Sequence, residues 1–287
     1  MISRRRFLAF LALPVIPSRA AAPDMFGNAE NYERFMGRWS RLVAPRLVDF
    51  TKVPESGQML DVGSGTGCLA FALAERRPGC QVVGIDPSRE YIAYANAKNP
   101  FPGRVSFEVG DAQQLRFPSG TYQACLSLLV FNFIPDPEKA LREVRRVTKP
   151  GGRISAAVWD YGARMRMLRT FWDAAVSLDA QAERFDEKNM PLCRAGELSL
   201  LWERGGLKDV DEQPLDITMR FKSFADYWEP FRLGQGPAGE YVQSLSRDRL
   251  QALRDEVKRR LSLAGEGTAF DLPARVWSVC GAVPGNA

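Results

Sequence analysis

The segment Leu60-Asp61-Val62-Gly63-Ser64-Gly65-Thr66-Gly67 constrains this chain more than any other. An apolar run ends, glycines follow at alternate positions, and a helical pattern begins. Such a turn lets a ligand approach the backbone and meet the unpaired N–H groups at the helix N-terminus. Around it, apolar runs expected as strands (Gln58–Val62, Gln81–Ile85, Val105–Val109, Tyr122–Phe131, Arg153–Val158) alternate with helical stretches (Thr66–Arg76, Ser88–Ala97, Pro137–Val147). Regular β-α-β alternation implies right-handed crossovers and a mainly parallel sheet covered on both faces. The charged positions Arg142, Glu143, Arg145 and Arg146 are expected to form a solvated helix face.

After Trp159 the rhythm changes. Arg164–Leu178 reads as a helix, Ala182–Gly196 as a polar, turn-rich segment and Glu197–Arg204 as a short helix. Val210–Met219 reads as a long strand, Ser223–Phe231 and Ala238–Leu263 as helices, and Ala274–Val283 as the last strand. No internal repeat or low-complexity linker interrupts the chain. Residues 25–287 are therefore expected to form one domain, with helical cap insertions at about 161–205 and 222–268.

The formal charge is +5, from 39 Lys+Arg against 34 Asp+Glu. Four of these positives (Arg4, Arg5, Arg6 and Arg19) fall in the first 23 residues, which hold no acid, so the rest of the chain is within one charge of neutral. A near-neutral body without a basic stripe argues against RNA or DNA as a partner. The opening basic residues, the apolar stretch Phe7–Ile16 and the following Ser18-Arg19-Ala20-Ala21-Ala22 have the layout of a secretory signal. Ser3-Arg4-Arg5-Arg6-Phe7-Leu8 is similar to the bacterial twin-arginine signal. Residues 1–24 thus read as a leader, with residues 1–22 a signal peptide, or as an upstream extension before a start at Met25. The apolar stretch is shorter than the roughly 20 residues that span a bilayer, so no stable membrane insertion is expected. Five scattered cysteines, odd in number and without a Cys-x-x-Cys pair, suit a reducing compartment. The cytoplasm is the expected location, with export through the leader as the alternative. Histidine is absent, which excludes an imidazole base or ligand, and no metal is expected.

Spacing separates the cofactor classes. A dinucleotide fingerprint, G-x-G-x-x-G, would put its third glycine at position 68, but here that residue is Cys68 and the glycine is Gly67. With Asp61 ahead of the loop, this Asp-x-Gly-x-Gly-x-Gly form resembles the first motif of class I S-adenosylmethionine-dependent methyltransferases, in the small-molecule, type 11/25-like branch. Gly84-Ile85-Asp86-Pro87-Ser88, Gly110-Asp111-Ala112, the run Ser127–Pro137 and the segment Leu141–Gly152 resemble the later motifs of that family, and Asn31–Ser40 resembles its N-terminal helix. The likeness covers roughly residues 28–160 well and the rest loosely. It implies a Rossmann-like, doubly wound α/β sheet, mostly parallel with an antiparallel last strand. It also implies S-adenosylmethionine as methyl donor, with Asp61, Gly63, Ser64, Gly65 and Gly67 under the methionine portion. Asp86 would lie at the ribose and Asp111 at the adenine, with Pro87, Ala112 and Leu128 also among the cofactor-binding residues, and Tyr32 and Trp39 would close over the ligand. Tyr122-Gln123 and Asn132-Phe133 depart from the family's usual Phe-Asp and histidine.

The implied reaction is in-line methyl transfer to a small molecule, needing alignment and exclusion of water rather than a metal. Asp160, Tyr161 and Tyr32 are candidates to take an acceptor's proton, and Asn132 to orient it, although a solvated loop or cap residue is the favoured reading of each. Trp39, Trp159, Phe171, Trp172, Trp228 and Phe231 are candidates for an apolar or aromatic acceptor's pocket, although aromatics at helical spacing are more often core, so one or two are expected to touch it. Arg164, Arg166 and Arg169 are expected on a solvated helix face. Two rival functions are a Rossmann-type NAD-linked oxidoreductase, because Asp86 lies about 20 residues past the loop, and a catalytically inactive cofactor-binding protein.

Overall fold

The strands that read as uninterrupted apolar runs are the ones covered on both faces. In β1 (Ser56–Val62) every residue from Met59 onward is buried, and in β4 (Tyr122–Leu128) only Gln123 is not. A computed structural model describes residues 28–285; the expected leader and Met25 lie outside them. With β2 (Gly79–Asp86), β3 (Val105–Val109), β5 (Thr148–Trp159), β6 (Lys208–Phe221) and β7 (Phe270–Ala282), these strands form one sheet in the order β3-β2-β1-β4-β5-β7-β6. The first five strands pair in parallel, and β7 runs antiparallel to both β5 and β6. The expected mostly parallel sheet with an antiparallel last strand is the observed one.

The chain winds outward from β1 to β3, then crosses back to β4 and β5. Right-handed crossovers therefore put α3 (Cys68–Arg76) and α4 (Arg89–Ala97) on one face and α5 (Pro137–Val147) on the other. The reversal opens a crevice at the C-terminal ends of β1 and β4, where open α/β sheets bind ligands.

Several elements differ from the sequence expectation for local reasons. β4 ends at Leu128, because Leu129 takes a positive φ of 65° and Phe131–Phe133 forms a 3-10 turn. The N-terminal stretch expected as one helix is α1 (Ala29–Tyr32), a π-helical turn over Glu33–Gly37, then α2 (Arg38–Thr51). After α6 (Arg166–Leu178), α7 (Glu197–Arg204) and α8 (Phe224–Trp228), the helix expected over Ala238–Leu263 is two, α9 (Gly236–Ser244) and α10 (Arg247–Arg260). Leu245 turns extended between them, and the Ser246 hydroxyl accepts from the Arg249 N–H to cap α10. On α5, Glu143 and Arg146 are not simply solvated. The Arg146 guanidinium donates to Glu143 and to the Leu115 and Phe117 carbonyls, stapling the β3–β4 connection.

Arg164 and Arg166 are exposed as expected, but Arg169 is buried and donates through both terminal nitrogens to Asp186, at 2.6 and 3.1 Å. Removing one partner of a buried pair strands the other charge. Arg169→Ala is therefore expected to cost about 3–5 kcal/mol, read as a fall in the thermal midpoint. Phe171, Trp172, Trp228 and Phe231 are buried in an aromatic core, with Phe171 stacked on Phe231 at 4.6 Å. Among the described residues no helix is long and apolar enough to cross a membrane.

Candidate functional site

The glycine turn is held by its neighbour strand. The Gly63 and Ser64 N–H groups both donate to the Ile85 carbonyl at 2.8 Å, and Gly67 N–H donates to the Ser64 carbonyl at 2.8 Å. Gly63 has φ +75°, and a Cβ there would come within 2.5 Å of Val130. Gly65 has φ +51°, yet the nearest atom to its missing Cβ is 3.9 Å away, on Tyr91. The first glycine thus serves packing, and the second leaves an open face beside a cavity of about 750 Å³, within the range of small-molecule sites.

Three strand-end carboxylates meet this cavity. Asp61 is fully buried; its Oδ2 accepts from the Ala70 N–H at 2.9 Å, and its Oδ1 has no hydrogen-bond partner. Burial pushes its carboxyl up to about 8; the Ala70 N–H pulls it down, and the charge of Asp86 raises it further. Asp86 is held by two backbone donors at 2.9 Å, Gly65 N–H to Oδ2 and Ser88 N–H to Oδ1, and burial raises its pKa against their pull. Each of its oxygens keeps one lone pair. Asp111 is exposed and accepts from the Gln113 N–H at 2.8 Å.

Of the residues expected at the site, Tyr32, Asp61, Gly63, Ser64, Gly65, Asp86 and Pro87 line the cavity, as do Asp111, Ala112, Leu128 and Tyr161. Gly67, Trp39, Asn132 and Asp160 are not on its wall. A Cβ at Gly67 would lie 2.8 Å from both Phe71 and Phe107, so Gly67 packs the turn. Trp39 lies 5.1 Å from the Phe221 ring with the Arg38 guanidinium over it, which makes it core. Asp160 shapes a turn: its carbonyl accepts from Ala163, Arg164 and Met165, and its Oδ1 from Ala163 N–H at 3.0 Å. Asn132 is hydrogen-bonded to Tyr161 and to the Met190 sulfur. Burial holds both Tyr32 and Tyr161 well above the ordinary phenol range.

Two segments distant in sequence cover the cavity: Tyr32, Phe35 and Met36 from the N-terminal stretch, and Gln235, Gly236 and Pro237 from the β6–β7 connection. They are latched together by Arg38 on Asp226 at 2.7 Å and by Asn31 Nδ2 on the Leu233 carbonyl at 3.3 Å. The π-helical turn aims Glu33 at the glycine loop, where it accepts from Thr66 Oγ1 at 2.5 Å and from Arg41.

Trp159 and Glu187 also line the cavity. Trp159 is the expected aromatic that reaches it. Glu187 was not expected, because Asp186-Glu187-Lys188-Asn189 reads as a solvated polar turn; the demand of Trp172 for an indole N–H partner is the one signal that pointed inward. The charge of the wall is lopsided. Among the described lining residues Asp61, Asp86, Asp111 and Glu187 face one cation, Arg89. Such a wall favours a positively charged ligand and disfavours a pyrophosphate. Among the described residues no group of three or more Cys, Asp or Glu is placed to hold a metal ion.

Comparison with known proteins agrees with this geometry. Residues 60–156 match the family described as Methyltransferase domain. A demethylmenaquinone methyltransferase of Thermus thermophilus is 41% identical over 118 residues, covering 41% of this chain and 52% of that protein. An arsenite methyltransferase of Aquipseudomonas alcaligenes is 32% identical over 197 residues, covering 62% and 51%. The chain thus spans about half the length of these curated relatives. Among solved structures, Haemonchus contortus phosphoethanolamine N-methyltransferase 2 in complex with S-adenosyl-L-methionine superposes with a TM-score of 0.57 at 17% identity, over 95% of this chain and 61% of that one, which is a likeness of fold.

Proposed function

We propose, from the match of residues 60–156 to a methyltransferase domain, that this chain is a class I methyltransferase and transfers a methyl group from S-adenosylmethionine to a small, largely apolar acceptor. The observation that carries the reading is the acid-lined cavity on whose wall a buried carboxylate oxygen, Asp61 Oδ1, has no donor. A buried acceptor left unpaired is costly, and an ammonium group satisfies it. The buried Ser64 hydroxyl, also without a partner, suits the same end of the ligand. The spare lone pairs of Asp86 suit two ribose hydroxyls, and Pro87, Asp111, Ala112 and Leu128 suit the adenine. When bound, the donor supplies a sulfonium whose methyl carbon is already electrophilic.

The chain's own task is then alignment and exclusion of water. Tyr32 and the two covering segments shut the cavity, with residues 161–205 and 222–268 acting as the cap. Gly67 and Trp39 support the turn and the cover from behind. Tyr161, kept neutral by burial and held by Asn132 behind it, orients the acceptor, while Asp160 fixes the loop that carries Tyr161. A dinucleotide would set a pyrophosphate against carboxylates, so the oxidoreductase reading has no support here.

Calorimetry with S-adenosylhomocysteine tests the assignment. Saturable binding is expected, with NADH failing to compete. No binding of S-adenosylhomocysteine, or equal binding of NADH, would sink it.

A further inference from the structure

At the C-terminal ends of β4 and β5 the cavity is walled by Phe133, Ile134, Trp159 and Tyr161, with Glu187 among them. An acceptor that carries a proton on its nucleophilic atom needs a group here to receive it. Tyr161 and Tyr32 hold their own protons, and Asp160 is committed to its turn. Glu187 is different. It sits on the short turn Glu187–Asn189, is 4% exposed, and its Oε2 accepts from the Trp172 indole N–H.

No structural need explains a carboxylate at this place. Asp186 takes both terminal nitrogens of the buried Arg169, so Glu187 gains no hydrogen-bonded counter-ion from it. A glutamine would accept from Trp172 equally well, with no charge to desolvate. The second observation is independent. The indole N–H of Trp159, on the same cavity wall, is buried and has no hydrogen-bond partner. An unpaired donor and a carboxylate without a hydrogen-bonded counter-ion, set among apolar side chains, fit a ligand that is apolar except for a hydroxyl.

We propose that Glu187 is a catalytic residue of the methyl transfer read above, on which this inference rests, and that it takes the proton of an apolar acceptor bearing an ionisable hydroxyl, a phenol or enol. The O–H bond breaks and its proton passes to the Glu187 carboxylate. The oxygen's electron pair forms the new bond to the methyl carbon, and the carbon–sulfur pair stays on sulfur, leaving a neutral thioether. The proton then leaves Glu187 for solvent. The Trp159 N–H donates to the oxygen as its charge develops. Burial raises the Glu187 carboxyl to about 8, which suits a base working near neutrality. The groups whose charges act with it are Asp186, Arg169, Tyr161 and Cys193.

The test uses 2-naphthol as probe and 2-methoxynaphthalene, which lacks the O–H, as its comparison. Both are titrated into the chain saturated with S-adenosylhomocysteine, whose ammonium holds Asp61 ionised. At pH 8 the wild type is expected to bind 2-naphthol about tenfold tighter than the ether, and the preference should fade toward pH 6. Glu187→Gln is expected to lose both the preference and its pH dependence while binding S-adenosylhomocysteine as before. Trp172→Phe, which removes the donor but keeps the carboxylate, should move the onset of the preference to higher pH. If Glu187→Gln folds poorly by its thermal midpoint, the Trp172→Phe shift decides alone. An unchanged preference and pH profile in these variants, or no binding of 2-naphthol to the loaded wild type, overturns the inference while the cofactor assignment stands. Failure of S-adenosylhomocysteine to bind the wild type overturns the methyl-transfer reading itself.

Discussion

Asp61→Asn is expected to stabilise the free chain at pH 8 and, at the same pH, to weaken its hold on S-adenosylhomocysteine. The unfolded carboxyl loses its proton near its ordinary value of 3.8, the folded one only at about 8. Between those values the folded state binds more protons, so wild-type stability falls as pH rises through the window; below it both states are protonated and the effect vanishes. At about 1.4 kcal/mol per pH unit, the loss accumulates to several kcal/mol. Asparagine escapes it, because its oxygen still accepts from the Ala70 N–H, although its buried amide N–H groups offset part of the gain. A net rise of about 1–3 kcal/mol at pH 8, falling as pH is lowered and reversing to a net loss near pH 4, where only the amide cost remains, is the expected outcome of denaturant titrations. Binding should move the other way. Losing a hydrogen bond to a charged group, about 1.5–3 kcal/mol, weakens S-adenosylhomocysteine roughly 10- to 150-fold. The ligand selects the ionised carboxylate, so wild-type affinity is expected to rise up to about tenfold per pH unit below about 8 and that of Asp61→Asn to stay flat. A pH-independent wild type would contradict the placement of the ammonium.

Asp86→Ala should be more damaging still. Its two oxygens hold the Gly65 and Ser88 N–H groups, so the variant loses the hydroxyl acceptors and also frees the glycine turn and the approach to α4. Two hydrogen bonds of this kind together imply at least roughly 100-fold weaker binding, with a lower thermal midpoint. Asp86→Asn, which keeps one oxygen, should lie between. If Asp86→Ala lowered the midpoint but left S-adenosylhomocysteine affinity intact, the carboxylate would be a loop fastener and nothing more.

The parts of this molecule that were legible in the sequence are those whose signals are local. Helix α5 begins where Asp136-Pro137 says it should and ends at Val147, α7 spans Glu197–Arg204, and β3 spans Val105–Val109. The side chain of Asp136 accepts from the Lys139 N–H, and Pro137 needs no donor at that position. The glycine turn and its three aspartates were visible for the same reason. What escaped depends on partners far along the chain. Glu187 is drawn inward by Trp172, and Arg169 by Asp186, through contacts no helical periodicity encodes. Asp160 looked like a base because it follows a strand that ends at the ligand crevice; its side chain instead completes a turn three residues long. The break at Leu245 hid behind unbroken helical character on both sides.

The latch between Arg38 and Asp226 joins residues 188 apart in sequence, and that between Asn31 and Leu233 joins residues 202 apart. During synthesis the five parallel strands β1 to β5, the glycine turn and all three aspartates emerge before the second covering segment, and β7 follows it. A nascent chain stopped before Gln235 would therefore own the cradle but not the cover. Capture of the ligand then becomes one of the last events of folding, and a metabolite added during translation would act on the finished chain, pulling completed molecules out of the pool of partly folded ones.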